Sequence, residues 1–187
     1  MNHLTGPQID EQLSYILAAP KDSGTVKMIV SRPATNERKI EESCRFSSKG
    51  GTEGDHWAKG CWKKLPDGSP HPDVQISVMN YRVLEVIGDS EDSRALAGDN
   101  LCVDFDLSDE NLKTGDRLKI GEATVEVTDI PHDGCQKFAE RFGAEALSYI
   151  NSEAGKKLHL RGIYVRVIED GNVSKNDRIE KIEPRQP

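Results

Sequence analysis

Aromatic residues are scarce in this chain of 187 residues, at 5% of the total. Bases do not cluster, and no Lys/Arg stretch is interleaved with aromatics, so a nucleic-acid-binding stripe is not expected. Positive charge is in the minority: 25 Lys and Arg stand against 32 Asp and Glu, a formal net charge of −7. That balance also argues against an anionic membrane surface as partner. A few local bases could still hold a small anionic ligand. No run approaches the roughly 18 apolar residues of a spanning helix. Residues 1–20 carry acids and lack the apolar centre of a secretory signal. The expected location is therefore cytoplasmic, with reduced thiols. The four cysteines, Cys44, Cys61, Cys102 and Cys135, are far apart and form no C-x-x-C pair. This argues against a disulfide framework and a four-cysteine zinc site. The phosphate-cradling spacing G-x-x-x-x-G-K-S/T is absent as well.

What is present is patterned. Ile9, Leu13, Ile16 and Leu17 share one helical face and Pro20 closes the segment, which predicts an N-terminal helical arm over residues 1–23. From Gly24 the period becomes two. Val26, Met28 and Val30 alternate with polar residues, as do Val74, Ile76 and Val78, and these read as half-buried strands. Leu101, Val103 and Phe105 read the same way, with Cys102 on the opposite face. Cys44 shares parity with Phe46 and is expected in the core. Tyr81 to Ile87 reads as a short helix. Leu118, Ile120, Val125 and Val127 flank Gly121-Glu122 and predict a hairpin. Phe138, Phe142, Ala146 and Ile150 recur every four residues and predict one helix over 136–151. Strands over 160–168 and 178–182 complete the chain. Strands and helices do not alternate regularly, so the expected fold is mainly β, an antiparallel β-barrel with a few peripheral helices, formed by residues 24–187.

Three segments could carry chemistry. Residues 49–72 form a long loop, and Gly50-Gly51-Thr52-Glu53-Gly54-Asp55-His56-Trp57 places three glycines in five residues. Such a loop is either a flexible turn or a cradle of backbone N–H groups for an anion. Cys61 lies between Trp57 and Trp62 there and is expected at the surface. His56, Cys61 and His71 match no metal-ligand spacing. The second segment is Ile130-Pro131-His132-Asp133-Gly134-Cys135-Gln136-Lys137. Its cysteine follows a Pro/Gly turn at the start of a predicted helix, where the helix dipole favours a thiolate. His132 and Lys137 add potential positive charge. Cys135 is then either a reactive sulfur or a small packed thiol. The third segment is the strand Arg161-Gly162-Ile163-Tyr164-Val165-Arg166, whose Arg161 either meets an anion or joins an ordinary ion pair.

In order, these segments resemble the MOSC family, the domain found at the C-terminus of molybdenum cofactor sulfurases and as small free-standing bacterial proteins. The resemblance rests on a G-x-x-G-D loop (Gly51 to Asp55) and a G-E/D-N element (Gly98-Asp99-Asn100, with Asp where Glu is usual). It rests further on a G-D-x-L/I-x-I/L-G hairpin (Gly115 to Gly121), Cys135 after a Pro turn, an R-G-I/V-Y-x-x-V strand (Arg161 to Val167) and a G-x-V-x-x-x-D turn (Gly171 to Asp177). It spans about residues 24–183 and implies a β-barrel-like fold. Many members carry Arg after the Pro and Pro before the Cys; this chain has His132 and Gly134.

The resemblance implies that Cys135 is the catalytic sulfur, carrying sulfane sulfur or ligating the metal of the molybdenum cofactor, a molybdopterin. Gly51, Gly54, Asp55, His56, Asn100, His132, Lys137, Arg141 and Arg161 are the residues then expected around that cofactor. Lys137 and Arg141 are four apart and share a helical face. Pyridoxal phosphate binding attaches to the family only as a whole, and no aminotransferase-like segment with a Schiff-base lysine is expected here. No flavin or iron–sulfur motif occurs, so redox turnover would need electron-transfer partners. Three functions follow: a sulfur-carrier or cofactor-binding module served by donor or acceptor proteins, a molybdenum-dependent reductase of N-hydroxylated compounds, and a non-catalytic interaction module. The sequence alone does not choose between enzyme and non-enzyme, and it names neither substrate nor oligomeric state.

Overall fold

The computed structural model describes residues 3–182. Its strands are β1 (Ser23–Ser31), β2 (Lys39–Glu41), β3 (Ser43–Ser47), β4 (Gly51–Thr52), β5 (Ile76–Asn80) and β6 (Leu101–Asp104). They continue as β7 (Arg117–Ile120), β8 (Ala123–Val127), β9 (Ile163–Glu169), β10 (Gly171–Ser174) and β11 (Arg178–Ile182). The order β11-β7-β8-β9-β5-β6-β1 closes on itself through a β1–β11 pairing, and β2 attaches to β1. Closure leaves those seven strands without a free edge. A smaller sheet, β10-β3-β4, packs beside the barrel.

The barrel is mixed rather than purely antiparallel, because β5 and β6 run parallel. A parallel pair needs a crossover. Here the helices Tyr81–Ile87 and Glu91–Ala95 supply it. Alternation sorts side chains between two cores, with a break in β1: a bulge between Val26 and Met28 separates Val26 from Met28 and Val30, which were expected on its face. Val26, Val78, Leu101, Val103, Phe105, Val125 and Val165 fill the barrel. Met28, Val30, Met79 and Cys102 point outward into a second core roofed by helices. Both faces of β1, β5 and β6 are therefore buried, and the closed barrel is packed with side chains. Gly24 is fixed by closeness: a Cβ there would lie 2.1 Å from the Asp104 carbonyl oxygen.

The four-residue recurrence after Cys135 does bury Phe138, Phe142, Ala146 and Ile150 on one face of the second core. The expected single helix is two, Gln136–Phe142 and Ala144–Ile150, broken at Gly143 with φ 97°. A further helix, Glu153–Lys157, follows, capped by Ser152. The N-terminal arm is likewise two helices, Gly6–Glu11 and Leu13–Leu17, that dock Ile9 and Ile16 into the same core. Leu17 departs from the expected apolar face and is 51% exposed. Tyr149 Oη and the Gly6 N–H tie the arm to the body by bonds to Asp10 and Glu145. Among the described residues no helix is long and apolar enough to cross a membrane.

Candidate functional site

Cys135 closes the loop between β8 and the helix Gln136–Phe142, and its carbonyl accepts the Phe138 N–H at 2.9 Å as the helix N-cap. It is exposed, whereas Cys44, Cys61 and Cys102 are buried. The burial of Cys61 corrects the expectation of a surface thiol: with Trp57 and Val74 it makes a small apolar cluster against Tyr164, and its thiol donates to the Lys63 carbonyl. Burial pushes the Cys44 thiol up to about 11 and the Cys102 thiol well above its usual range. Limiting iodoacetamide near neutral pH is therefore expected to label Cys135 before the other three, read by peptide mass spectrometry. First labelling at Cys44 or Cys102 would contradict this arrangement.

The turn before the cysteine is clamped. Asn151 accepts the Gly134 N–H at 2.9 Å and donates to the Gly134 carbonyl at 3.1 Å. A proline at 134 could not donate that N–H. A Cβ at 134 would also sit 2.5 Å from Leu147 Cδ1 and 2.8 Å from Ile150 Cδ1. Glycine here is thus matched to Asn151 and to the helix that follows.

Behind the turn lies a buried polar cluster. Arg161 is 9% exposed and donates to Asp99 Oδ2 at 2.7 Å and to the Ala97 carbonyl at 3.2 Å. Its guanidinium also lies 5.2 Å from the Phe138 ring centroid. His132 stacks at 4.3 Å on Tyr164 and turns Nδ1 toward Asp99 Oδ1 at 3.7 Å. Two of the three positions that depart from the family pattern, 99 and 132, are therefore neighbours. Both side chains are short, and the gap between them is too long for a hydrogen bond. Asp99 Oδ1, His132 Nδ1 and Arg161 Nε are all buried without a hydrogen-bond partner. Burial raises the Asp99 carboxyl, with Arg161 opposing it. Burial, then the charges of Arg161 and Arg32, push His132 well below 6.5, so its ring is neutral at pH 7.

A second polar cluster fixes the glycine-rich loop. Asp55 accepts from Arg32 Nε at 2.7 Å, from the Trp57 N–H at 2.8 Å and from Asn100 Nδ2 at 2.9 Å. Burial alone would raise the Asp55 carboxyl, but Arg32 and these donors hold it below its usual value. Asn100 is fully buried and also bonds Ser77, Arg32 and the Val30 carbonyl. His56 Nδ1 lies 2.6 Å from the Arg32 carbonyl. Gly51 and Gly54 supply left-handed turns, φ 70° and 77°, that bend the loop around Arg32 and Trp57. Asp55 and Asn100 thus spend their hydrogen bonds on holding Arg32 and the loop.

The helix Gln136–Phe142 leads from Cys135 to a patch of cations. Lys137, two residues on, is exposed. Arg141 donates to the Leu96 carbonyl at 2.7 Å, and Asn36 Oδ1 lies at 3.5 Å. Arg38, which sequence reasoning missed, lies beside Gly98, where a Cβ would come 2.9 Å from its Nη2. Its Nε is buried without a partner, and burial and then the charges of Arg141 and Arg32 lower its pKa. Among the described residues neither Arg38 nor Arg141 meets a carboxylate. Arg32 and Arg161 are matched by Asp55 and Asp99, so this patch keeps two uncompensated positive charges in a chain of net charge −7.

Sequence comparison adds the family. The model of the MOSC domain matches residues 72–180, more than half of the chain, and the chain belongs to that family. Solved structures agree on the fold. A YuaD protein from Bacillus subtilis is 19% identical, with a TM-score of 0.63 over 85% of this chain and 95% of that one. YiiM from Escherichia coli is 18% identical, with a TM-score of 0.54 over 87% and 72% of the two chains. YiiM from Geobacillus stearothermophilus is 16% identical, with a TM-score of 0.51 over 87% and 74%. No curated protein matches by sequence.

Proposed function

We propose that this protein is a molybdenum-cofactor-binding module in which Cys135 meets the metal and Arg38 and Arg141 hold the anionic end of the pterin. The observation that carries this reading is the helix Gln136–Phe142, with an exposed thiol at one end and uncompensated guanidiniums at the other. At 1.5 Å per residue, Cys135 and Arg141 are about 9 Å apart along its axis. The orphaned Arg38 Nε is a buried donor in want of an acceptor, which a phosphate oxygen supplies. The donor set fits the group: a soft thiolate for the metal and planar forks for the phosphate. Once bound, the molybdenum would supply two-electron redox chemistry or sulfur exchange. Cys135 would anchor one end of the ligand and the arginines the other. Asn151, through Gly134, would fix the direction from which the thiol approaches. His132 remains neutral and contributes no charge.

A second reading, a carrier of sulfane sulfur, is favoured by Cys135 being the one exposed thiol among the described residues. Anaerobic purification followed by metal and pterin analysis separates the two. Cofactor retained by the wild type and lost in the double charge reversal Arg38→Glu, Arg141→Glu is the expected result. A persulfide on Cys135 without metal would transfer the assignment to the carrier. Wild-type protein with neither would remove both.

A further inference from the structure

A cavity of about 450 Å³ opens between the 128–133 loop and residues 155–163, and Cys135 is not among the residues that line it. Leu112, Val127, Ile130 and Ile163 form the apolar part of its walls. Its charged lining is balanced, with Lys113, Lys156 and Arg161 against Asp109, Asp129 and Asp133. These charges are largely spent within the chain. Lys156 lies 3.6 Å from Asp133, His159 3.2 Å from Asp109, and Arg161 2.7 Å from Asp99. This environment is unlike the cationic patch of Arg38 and Arg141. Among the described residues Lys113, whose Nζ meets only the Asp109 carbonyl, and Asp129 are the two lining charges without an ion pair, and being of opposite sign they leave a charged ligand no net counter-charge.

His132 and Arg161 both reach this cavity from the buried cluster. The His132 side chain is 7% exposed, and its Nδ1 is buried against Asp99. The carboxylate beside Nδ1 favours the tautomer with the proton there. That leaves the Nε2 lone pair on the edge of the ring that can face the cavity. Among the described residues Nε2 has no hydrogen-bond partner. An acceptor without a donor at the wall of a partly apolar pocket is an unmet hydrogen bond that a ligand can complete.

We infer that this cavity is a binding site, separate from the Cys135 face, for a small uncharged organic molecule with an apolar body and an N–H or O–H donor that bonds His132. The site does not depend on a cofactor beside Cys135. His132 sits three residues before that cysteine, so an occupant would rest against the turn that leads to it.

The test uses three probes of one shape on the full-length 15N-labelled protein: benzamide, benzoate and toluene. Benzamide is uncharged with N–H donors, benzoate is its anionic counterpart, and toluene lacks a donor. Benzamide is expected to shift the backbone amides of Thr128, Gly155 and Gly162 in a saturable way, with affinity at least about tenfold above benzoate, as a buried unpaired charge requires. His132→Phe is expected to weaken benzamide by about tenfold, the size of one net hydrogen bond in a dry site, and to leave toluene unchanged. Thr114→Trp, at an exposed rim position, is expected to block both probes by filling the mouth, and it keeps the test decisive if the His132 variant does not fold. Benzoate binding as tightly as benzamide, shifts centred on Cys135 and Gly98 instead, or no saturable shift with any probe would each overturn the assignment.

Discussion

Arg161→Met is expected to cost about 3–5 kcal/mol of unfolding free energy, because removing one partner of a buried ion pair strands the other. The stranded group is Asp99, which is fully buried and whose Oδ1 already lacks a hydrogen-bond partner. Met fills the volume but supplies no charge and no donor. The double variant Asp99→Leu, Arg161→Met is expected to recover most of the loss, since both desolvated charges are then gone. Urea denaturation of wild type, the two single variants and the double variant closes the cycle. A loss below about 1 kcal/mol in Arg161→Met would place the pair in the class of solvent-screened contacts. It would contradict the burial described here.

Acidification is expected to weaken the fold through His132 well before the carboxylates titrate. The folded ring is pushed well below its ordinary value of 6.5, so below pH 6.5 the unfolded chain takes up a proton that the folded chain refuses. The unfolded state binds more protons, and stability therefore falls as pH falls from about 6.5 toward the folded value. While the folded ring stays neutral, the loss grows by up to about 1.4 kcal/mol for each pH unit below 6.5. Asp99, raised by burial, acts in the opposite direction and recovers part of it. The depressed carboxyl of Asp55 adds its own loss only as pH falls through its folded value, below the carboxylate range. His132→Asn, measured beside wild type at pH 7 and pH 5, isolates the contribution. Equal pH slopes in the two proteins would mean that the imidazole is not held neutral.

The barrel was legible because period-two alternation survives in β5 and β6 even where both faces are buried: Val78 and Leu101 go inward while Met79 and Cys102 go outward. In β1 a bulge between Val26 and Met28 breaks the period, so Val26 goes inward and Met28 and Val30, expected on its face, go outward. Cys135 was legible for a local reason, a Pro/Gly turn running into a helix. Alternation does not encode strand direction, so the parallel β5–β6 pair was invisible. The short strands β2 and β4 offer too few residues for any period to register. Gly143 sits inside an unbroken four-residue recurrence, which is why the helix break was missed: both helices lie on the same core. Arg38 and Arg32 left no local trace, because their importance comes from lying against Gly98 and Asp55, distant in sequence. Cys61 was misjudged for the same reason, since its cover comes from Val74 and Tyr164.

The pairing that closes the barrel joins β1 to β11, with Ser23 opposite Glu180 and Thr25 opposite Arg178. Arg178 also reaches across 155 positions of sequence to the Ser23 hydroxyl. A ring of strands whose first and last members are neighbours cannot be completed until nearly the whole domain has left the ribosome. Until then β1 offers an unpaired edge to whatever strand is near. Folding must therefore spend loop-closure entropy before its reward arrives, which places this barrel among slow, high-contact-order folds. The helical arm ahead of β1 contacts the second core rather than β11 and can dock first, covering one flank of the waiting strand. The same topology makes β11 the strand on which cooperativity depends: its loss would open the barrel on both β1 and β7 at once.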